Sequence, residues 1–375
     1  MSIPPKYSHV SVVFIIFACC IRMKGLERSK MKYHISGGLL CLLLLMSSLN
    51  AAKADTKGPR LGISFPPVSN AKARAITLRH LNRLNCKLVR IDTPWRLREP
   101  SPGQYNWKPF DSRLKALRRI DVDIMVTLSA DGPDWRAVFH DEKTWRRFVR
   151  AFVSRYSKHI HKLQFANEWD TLGHWFPGTA KEFVHLHNIF YEASKAIAPE
   201  LPIVLGGVTR SYPMLKLYIE RPENLDFSKM DLKNPDKITK KLEKARNQFS
   251  RFKARVEYVF ANAQYDECDI HLYDDCENWK GCVNVIRGLT SRPIIVSEFG
   301  GPSSAYENYS ESYHAKRMEM YLSTIAKLPI TEAYYFNLVE NPSTYHDRSG
   351  LLTRWLREKP AYRVFRKFLK VFCKN

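Results

Sequence analysis

The sequence predicts an α/β fold, a single (β/α)₈ TIM barrel with a basic helical insertion between strands 5 and 6. Three observations lead there. Short apolar, β-branched runs alternate with longer amphipathic stretches, eight such runs follow residue 58, and one spacing, between the fifth and sixth, exceeds sixty residues. Such alternation is the pattern of βα units, and eight of them in roughly 300 residues close a barrel.

The expected strands, in order, are residues 61–65, 88–92, 124–128, 163–166, 203–207, 269–272, 294–297 and 333–336. Each is four or five residues long and mostly apolar, as befits strands covered on both faces. Helical periodicity fills the intervals at 71–84, 145–157, 180–198 and 312–326. The long interval runs from about Tyr212 to Arg255. Its first half, with Pro213, Pro222 and Pro235, reads as a loop, and residues 236–256 read as a long Lys/Arg-rich helix. On a barrel this insertion emerges on the catalytic face, although charge runs often simply face water. No second domain or internal repeat stands out.

Composition suits one large globular domain, with 45% hydrophobic and 12% aromatic residues. Residues 1–54 read as a signal segment. Apolar runs at 10–21 and 35–49 are short, the second follows Arg28, Lys30 and Lys32, and Ala52-Lys53-Ala54 supplies a small-x-small cleavage site. Met31 is an alternative start. The expectation is export to the periplasm or medium, with residues 55–375 as the working domain and no stable membrane span, since a spanning helix needs roughly 20 apolar residues.

Residues 1–54 carry seven Lys/Arg and one Glu, so the remainder keeps 53 basic and 36 acidic residues, a net charge of +17. That suits an anionic polymer or surface as partner, or an ordinary solvated surface. No zinc-finger, helix-turn-helix or RNA-binding signature accompanies the charge, so nucleic acid is not expected. Cys86, Cys268, Cys276, Cys282 and Cys373 remain after residue 54. In an oxidising compartment Cys276 and Cys282 are the preferred disulfide pair. No CxxC spacing or His pair suggests zinc, and neither a metal nor a cofactor is expected.

Two carboxylates directly follow apolar strands, Glu168 after 163–166 and Glu298 after 294–297. Strand ends of a barrel face one pocket, and two carboxyl groups there are what glycosidic hydrolysis requires.

Phe165-Ala166-Asn167-Glu168 resembles the strand-four Asn-Glu motif of the clan of (β/α)₈ retaining glycosidases that includes cellulases, β-mannanases and β-xylosidases. Ile295-Val296-Ser297-Glu298-Phe299-Gly300 resembles that clan's strand-seven nucleophile. The resemblance spans about residues 61–368. It implies Glu298 as nucleophile, Glu168 as acid/base, Asn167 on the sugar 2-hydroxyl, Arg90 steadying the nucleophile as an anion, and the strand-six pair His271 and Tyr273 beside it. Trp95 and residues 99–107 resemble the turn after strand two, and residues 359–362 the entry to the last helix.

Two departures stand out: Trp169 replaces the proline common after Asn-Glu, and Phe336-Asn337 stands where a sugar-platform tryptophan is common. Trp95, Trp135, Trp169 and Trp175 are candidates to stack on sugar rings, and Asn337 to bind substrate. Asp131, Asp134, Asp274, Asp275 and Glu340 are the competing carboxylates. The expected substrate is a polysaccharide or oligosaccharide. The rival readings are a non-catalytic carbohydrate-binding barrel and a basic surface protein in exopolysaccharide assembly.

Overall fold

The computed structural model describes residues 58–129, 141–171, 176, 178–220, 235–302, 309–344 and 346–372. The expected signal segment, Cys373, Asp131, Asp134, Trp135 and Trp175 lie outside the described residues.

Eight parallel strands close into a barrel in sequence order: β1 (Arg60–Ser64), β2 (Leu88–Pro94), β3 (Asp123–Ser129), β4 (Lys162–Asn167), β5 (Ile203–Val208), β6 (Glu267–Tyr273), β7 (Ile294–Gly300) and β8 (Glu332–Phe336). The closing pair is β1 with β8, in a register that sets Leu61 opposite Ala333. Inside, Leu88, Met125, Val204, Ile295 and Tyr334 form a small buried cluster drawn from five strands. Below it Lys162 pairs with Glu267 and Glu332, and His161 with Glu332, closing the end opposite the site with mutually compensated charges.

The connecting helices are α1 (Ala71–Leu84), α2 (Lys108–Leu117), α3 (Glu142–Tyr156), α4 (Ala180–Lys195), α5 (Ser211–Glu220), α6 (Pro235–Asn262), α7 (Trp279–Arg287), α8 (Glu311–Ile325) and α9 (Pro360–Phe372). Helix α3 shows why they form. Trp145, Phe148, Val149, Phe152, Val153 and Tyr156 recur at three- and four-residue steps and all are buried. Asp141 caps its start by accepting from Thr144 N. In the same way Asn70 caps α1 and Ser310 caps α8, while Thr179 and Glu182 form a reciprocal capping box on α4.

One expectation is corrected in part. Residues 212–220, expected as loop, belong to helix α5, and Pro213 is tolerated because it falls in the first turn, where an amide has no helical acceptor to lose, while residues 221–234 lie outside the described residues. The long basic helix is α6, which follows α5 between β5 and β6. Its last turns bury Val256, Val259 and Phe260 in the main core.

Cys276 and Cys282 form no disulfide and are free thiols, as are Cys86 and Cys268, all four buried. Cys276 lies in a 3₁₀ turn and Cys282 in α7 six residues on. At helical rise that is about 9 Å, beyond the roughly 7 Å a disulfide spans.

Candidate active site

The site lies at the carboxyl ends of the strands, and local backbone irregularity builds it. In a regular strand, successive side chains point to opposite faces. Ala166 and Glu168 both adopt left-handed conformations, with φ of 66° and 43°. The consequence is that adjacent residues both turn inward: Asn167 Oδ1 accepts from Arg90 Nη2 at 2.7 Å, and Glu168 Oε1 lies 2.9 Å from His271 Nδ1. Such conformations cost about 1–2 kcal/mol per residue and persist only where the surroundings hold them. Strand β7 achieves the same result through register shifts against β6 and β8, which let both Ser297 and Glu298 face the interior.

Glu298 is buried and doubly held. Arg90 Nη1 donates to its Oε1 at 2.6 Å, and the Tyr273 hydroxyl donates to Oε2. Burial beside Glu298 pushes the Tyr273 phenol well above its ordinary value, so it stays a donor. Arg90 has no exposed surface. Its remaining donors reach Thr127 Oγ1 (2.9 Å), Gln164 Oε1 (2.8 and 3.0 Å) and Ser64 Oγ (3.3 Å), and its cation lies 4.4 Å from the Phe65 ring centre. Glu168 keeps 22% of its side chain exposed against 7% for Glu298, so the two carboxylates differ in access to water.

His271 bridges the two sides. Its Nδ1 lies 2.9 Å from Glu168 and 3.8 Å from Glu298, and its Nε2 lies 3.1 Å from Ser297 Oγ and 3.5 Å from Asp269 Oδ2. The Ser297 hydroxyl donates to Asp269, which leaves its own oxygen to accept from His271. Burial works against charge on this imidazole, yet Glu298, Asp269 and Glu168 together raise it to about 10. Asp269, fully buried, is in turn held below the usual carboxylate range against the same burial by His271, with Arg90 and the Ser297 hydroxyl adding to the effect. Oxygens of Glu168 and Glu298 and a nitrogen of His271 lie within 4.8 Å of one another, a spacing a metal ion would also accept. A metal ligand needs a lone pair on the imidazole, whereas here both ring nitrogens face acceptors. The donor set therefore fits a protonated imidazole between carboxylates better than a cation site.

Further anchors fix the loop after Glu168. Asp170 accepts from Thr209 N and Oγ1 at 2.9 and 2.7 Å, and burial raises it to about 6. Arg255 of α6 donates to the carbonyls of Trp169, Phe176 and Gly178. This basic residue, read from sequence as facing substrate or solvent, is buried and holds backbone.

The structure thus brings together Arg90, Asn167, Glu168, His271, Tyr273 and Glu298. It does not bring in two expected tryptophans. Trp169 is fully buried, donates Nε1–H to Gly206 O at 2.7 Å and stacks on Phe183 at 4.9 Å. Trp95 donates to Glu99 and packs edge-on against Trp145 and at a tilt against Phe148 on the helical side. Glu99 also accepts from Gly103 N and Arg147, so the turn after β2 is a structural staple. Asn337 is nearly buried, with its Oδ1 without a hydrogen-bond partner among the described residues.

Of the competing carboxylates, Asp275 pairs with Arg210 and Glu340 with Lys359, while Asp274 is buried beside Gly301. Residues that sequence reading missed are Thr127, Gln164, Asp269 and Ser297, together with His346, whose ring stacks on Tyr273 at 3.6 Å.

No family profile and no curated protein matches the chain in sequence. Solved structures do match in shape. A glucosidase from Croceicoccus marinus superposes with a TM-score of 0.61 at 15% identity, over 84% of this chain and 68% of that one. A GH5_18 protein from Streptomyces cattleya, solved with GlcNAc, gives 0.60 at 13% identity over 85% and 81%. A family 39 glycoside hydrolase from Bacteroides cellulosilyticus WH2 gives 0.57 at 12% identity, over 84% of this chain and 64% of that one. At such identities the likeness is one of fold: the chain has the closed (β/α)₈ barrel of the GH5, GH39 and GH1 glycosidases.

Proposed function

We propose that this protein is a retaining glycoside hydrolase acting on a polysaccharide or oligosaccharide, with Glu298 as nucleophile and Glu168 as acid/base. The observation that carries the reading is the pairing of these two carboxyl groups, with oxygens within 4.8 Å, one on strand β7 and the other directly after β4. Retaining enzymes set the groups about 5–5.5 Å apart, and inverting ones need about 6.5–9.5 Å to admit water between them.

In this mechanism Glu298 attacks the anomeric carbon as the glycosidic bond breaks, and Glu168 gives its proton to the departing oxygen. Glu168 then takes a proton from the water that attacks the same carbon, and Glu298 is released. Arg90 and Tyr273 orient Glu298 and offset its charge before attack. Glu168, the more accessible of the two, is the one that must meet water. Asn167, fixed by Arg90, is the candidate partner of the sugar 2-hydroxyl. The barrel fold shared with glycosidases supports the reading, although barrels of this kind host many chemistries.

The test measures new reducing ends released from neutral and acidic polysaccharides by wild type and by Glu298→Gln. Release that the variant loses supports the assignment, and equal release by both overturns it.

The reading also has the protein act outside the cytoplasm after removal of residues 1–54. The support is the basic flank, apolar run and Ala52-Lys53-Ala54 of the sequence. A mature amino terminus at Asp55 in exported protein is the expected result. Among the described residues, no helix is long and apolar enough to cross a membrane.

A further inference from the structure

Beside the candidate active site, the segment after β8 forms a second cleft of about 310 Å³, lined by Tyr309, Glu340, Arg348, Arg354, Trp355 and Arg357 among others. That volume falls within the range of ligand pockets. The cleft adjoins the reaction centre along the chain: His346 stacks on Tyr273, the residue that donates to Glu298, and Arg348 follows two positions later. The segment that builds it leaves β8 at the carboxyl ends of the strands, the end that carries Glu168 and Glu298.

Its charges are unevenly used. Glu311 is taken by both terminal nitrogens of Arg357, and Glu340 by Lys359 at 2.6 Å. Arg348 lies 3.7 Å from Asp347, with its guanidinium carbon 5.6 Å from the centre of the Tyr309 ring. Arg354 has no carboxylate within ion-pair distance among the described residues, and its guanidinium carbon lies 4.7 Å from the ring centre of Trp355. Trp355 is 77% exposed, the most exposed large apolar side chain among the described residues. A guanidinium stacked on an indole uses its face and keeps its in-plane N–H groups free, and that planar fork matches a carboxylate. The three acids that line the cleft, Glu311, Glu340 and Asp347, each lie against another cation, so Arg354 at its lip is a held cation without an ion-pair partner among the described residues.

We infer that Arg354, stacked on Trp355, is a carboxylate-binding subsite that selects a uronic-acid-bearing polysaccharide. The inference rests on the glycosidase reading for the nature of the ligand as a glycan. It goes further in naming the charge that glycan carries and the residue that reads it.

The test uses the full chain carrying Glu298→Gln, so that binding is read without cleavage. It is titrated at fixed ionic strength with polygalacturonate and with alginate, each beside its neutral ester. Binding of at least one acid form about tenfold tighter than its ester is expected, as for one charge-assisted contact. Arg354→Gln should remove most of that preference, and Trp355→Ala should reduce it by releasing the guanidinium. Arg251→Gln, an exposed arginine on α6, should leave it intact. No preference for either acid form, or an equal loss in Arg354→Gln and Arg251→Gln, would overturn the subsite. The glycosidase reading is judged separately, by reducing-end release from the wild-type chain. A chain that prefers the acid form through Arg354 but cuts nothing keeps the subsite and loses the enzyme.

Discussion

Nδ1 of His271 lies 2.9 Å from Oε1 of Glu168, while its Nε2 faces Ser297 and, behind it, Asp269. Each ring nitrogen faces an oxygen able to accept, and the carboxylates of Glu298, Asp269 and Glu168 raise the imidazole to about 10 from an ordinary value of 6.5. The folded protein therefore holds this proton more tightly than the unfolded chain does. Its contribution to stability is complete below about pH 6.5 and is lost as pH rises through about 10. The thermal midpoint of wild type should fall over that window more steeply than that of His271→Gln. Identical slopes would show that the imidazole is not charged in the fold.

Glu168 as acid/base has a consequence that depends on the leaving group. Glu168→Gln should slow cleavage of a polysaccharide about 10²- to 10⁴-fold, the usual contribution of a positioned acid. The same variant should form its glycosyl intermediate from a dinitrophenyl glycoside at close to the wild-type rate, because that leaving group departs without a proton. A burst of dinitrophenol followed by slow turnover is the expected signature. Equal losses on both substrates would assign Glu168 another role.

Much of this site was legible because its residues sit where strands stop. Asn167-Glu168 and Glu298 follow unbroken apolar runs, and Arg90, His271 and Tyr273 interrupt such runs with large polar groups. Thr127, Gln164 and Asp269 were illegible as a network, because one polar residue in a short strand resembles ordinary alternation. The available signal was that Gln164 and Asp269 stand in strands buried on both faces, where an unpaired polar group would be costly. Trp169 was misplaced for a different reason. Sequence spacing does not show that Glu168 turns left-handed, and that turn sends Trp169 into the core. Arg255 was read as part of a charge run, and only the helix's path past Trp169 O and Gly178 O reveals its buried role.

Arg90 joins Glu298, Asn167, Gln164, Thr127 and Ser64 through one rigid group, so its loss should act on stability and activity together. Arg90→Met leaves the buried Glu298 without its cation and should lower stability by about 3–5 kcal/mol in urea unfolding. Arg90→Lys restores a charge but not the planar fork. It should recover part of the stability while activity stays down about a hundredfold, as expected when a reacting group is displaced by about 1 Å. Full activity in Arg90→Lys would show that charge alone positions Glu298.

Gly207 of β5 provides the sharpest geometric test, because a Cβ there would lie 2.2 Å from His271 Nε2 and 2.8 Å from Asp269 Oδ2. Both neighbours are fully buried, lie 3.5 Å apart and share Ser297, so neither yields without breaking the link to Ser297 or to Glu168. Gly207→Ala should cost about 1–3 kcal/mol through overpacking and reduce activity about a hundredfold by shifting the imidazole. Gly281→Ala is the matched control: its Cβ would meet a methyl of Leu217 at 2.8 Å, a flexible side chain, and alanine favours helix α7. The control should retain activity and most or all of its stability. If the two variants behaved alike, Gly207 would not be guarding the position of His271, and the His271–Asp269 contact would have no bearing on turnover.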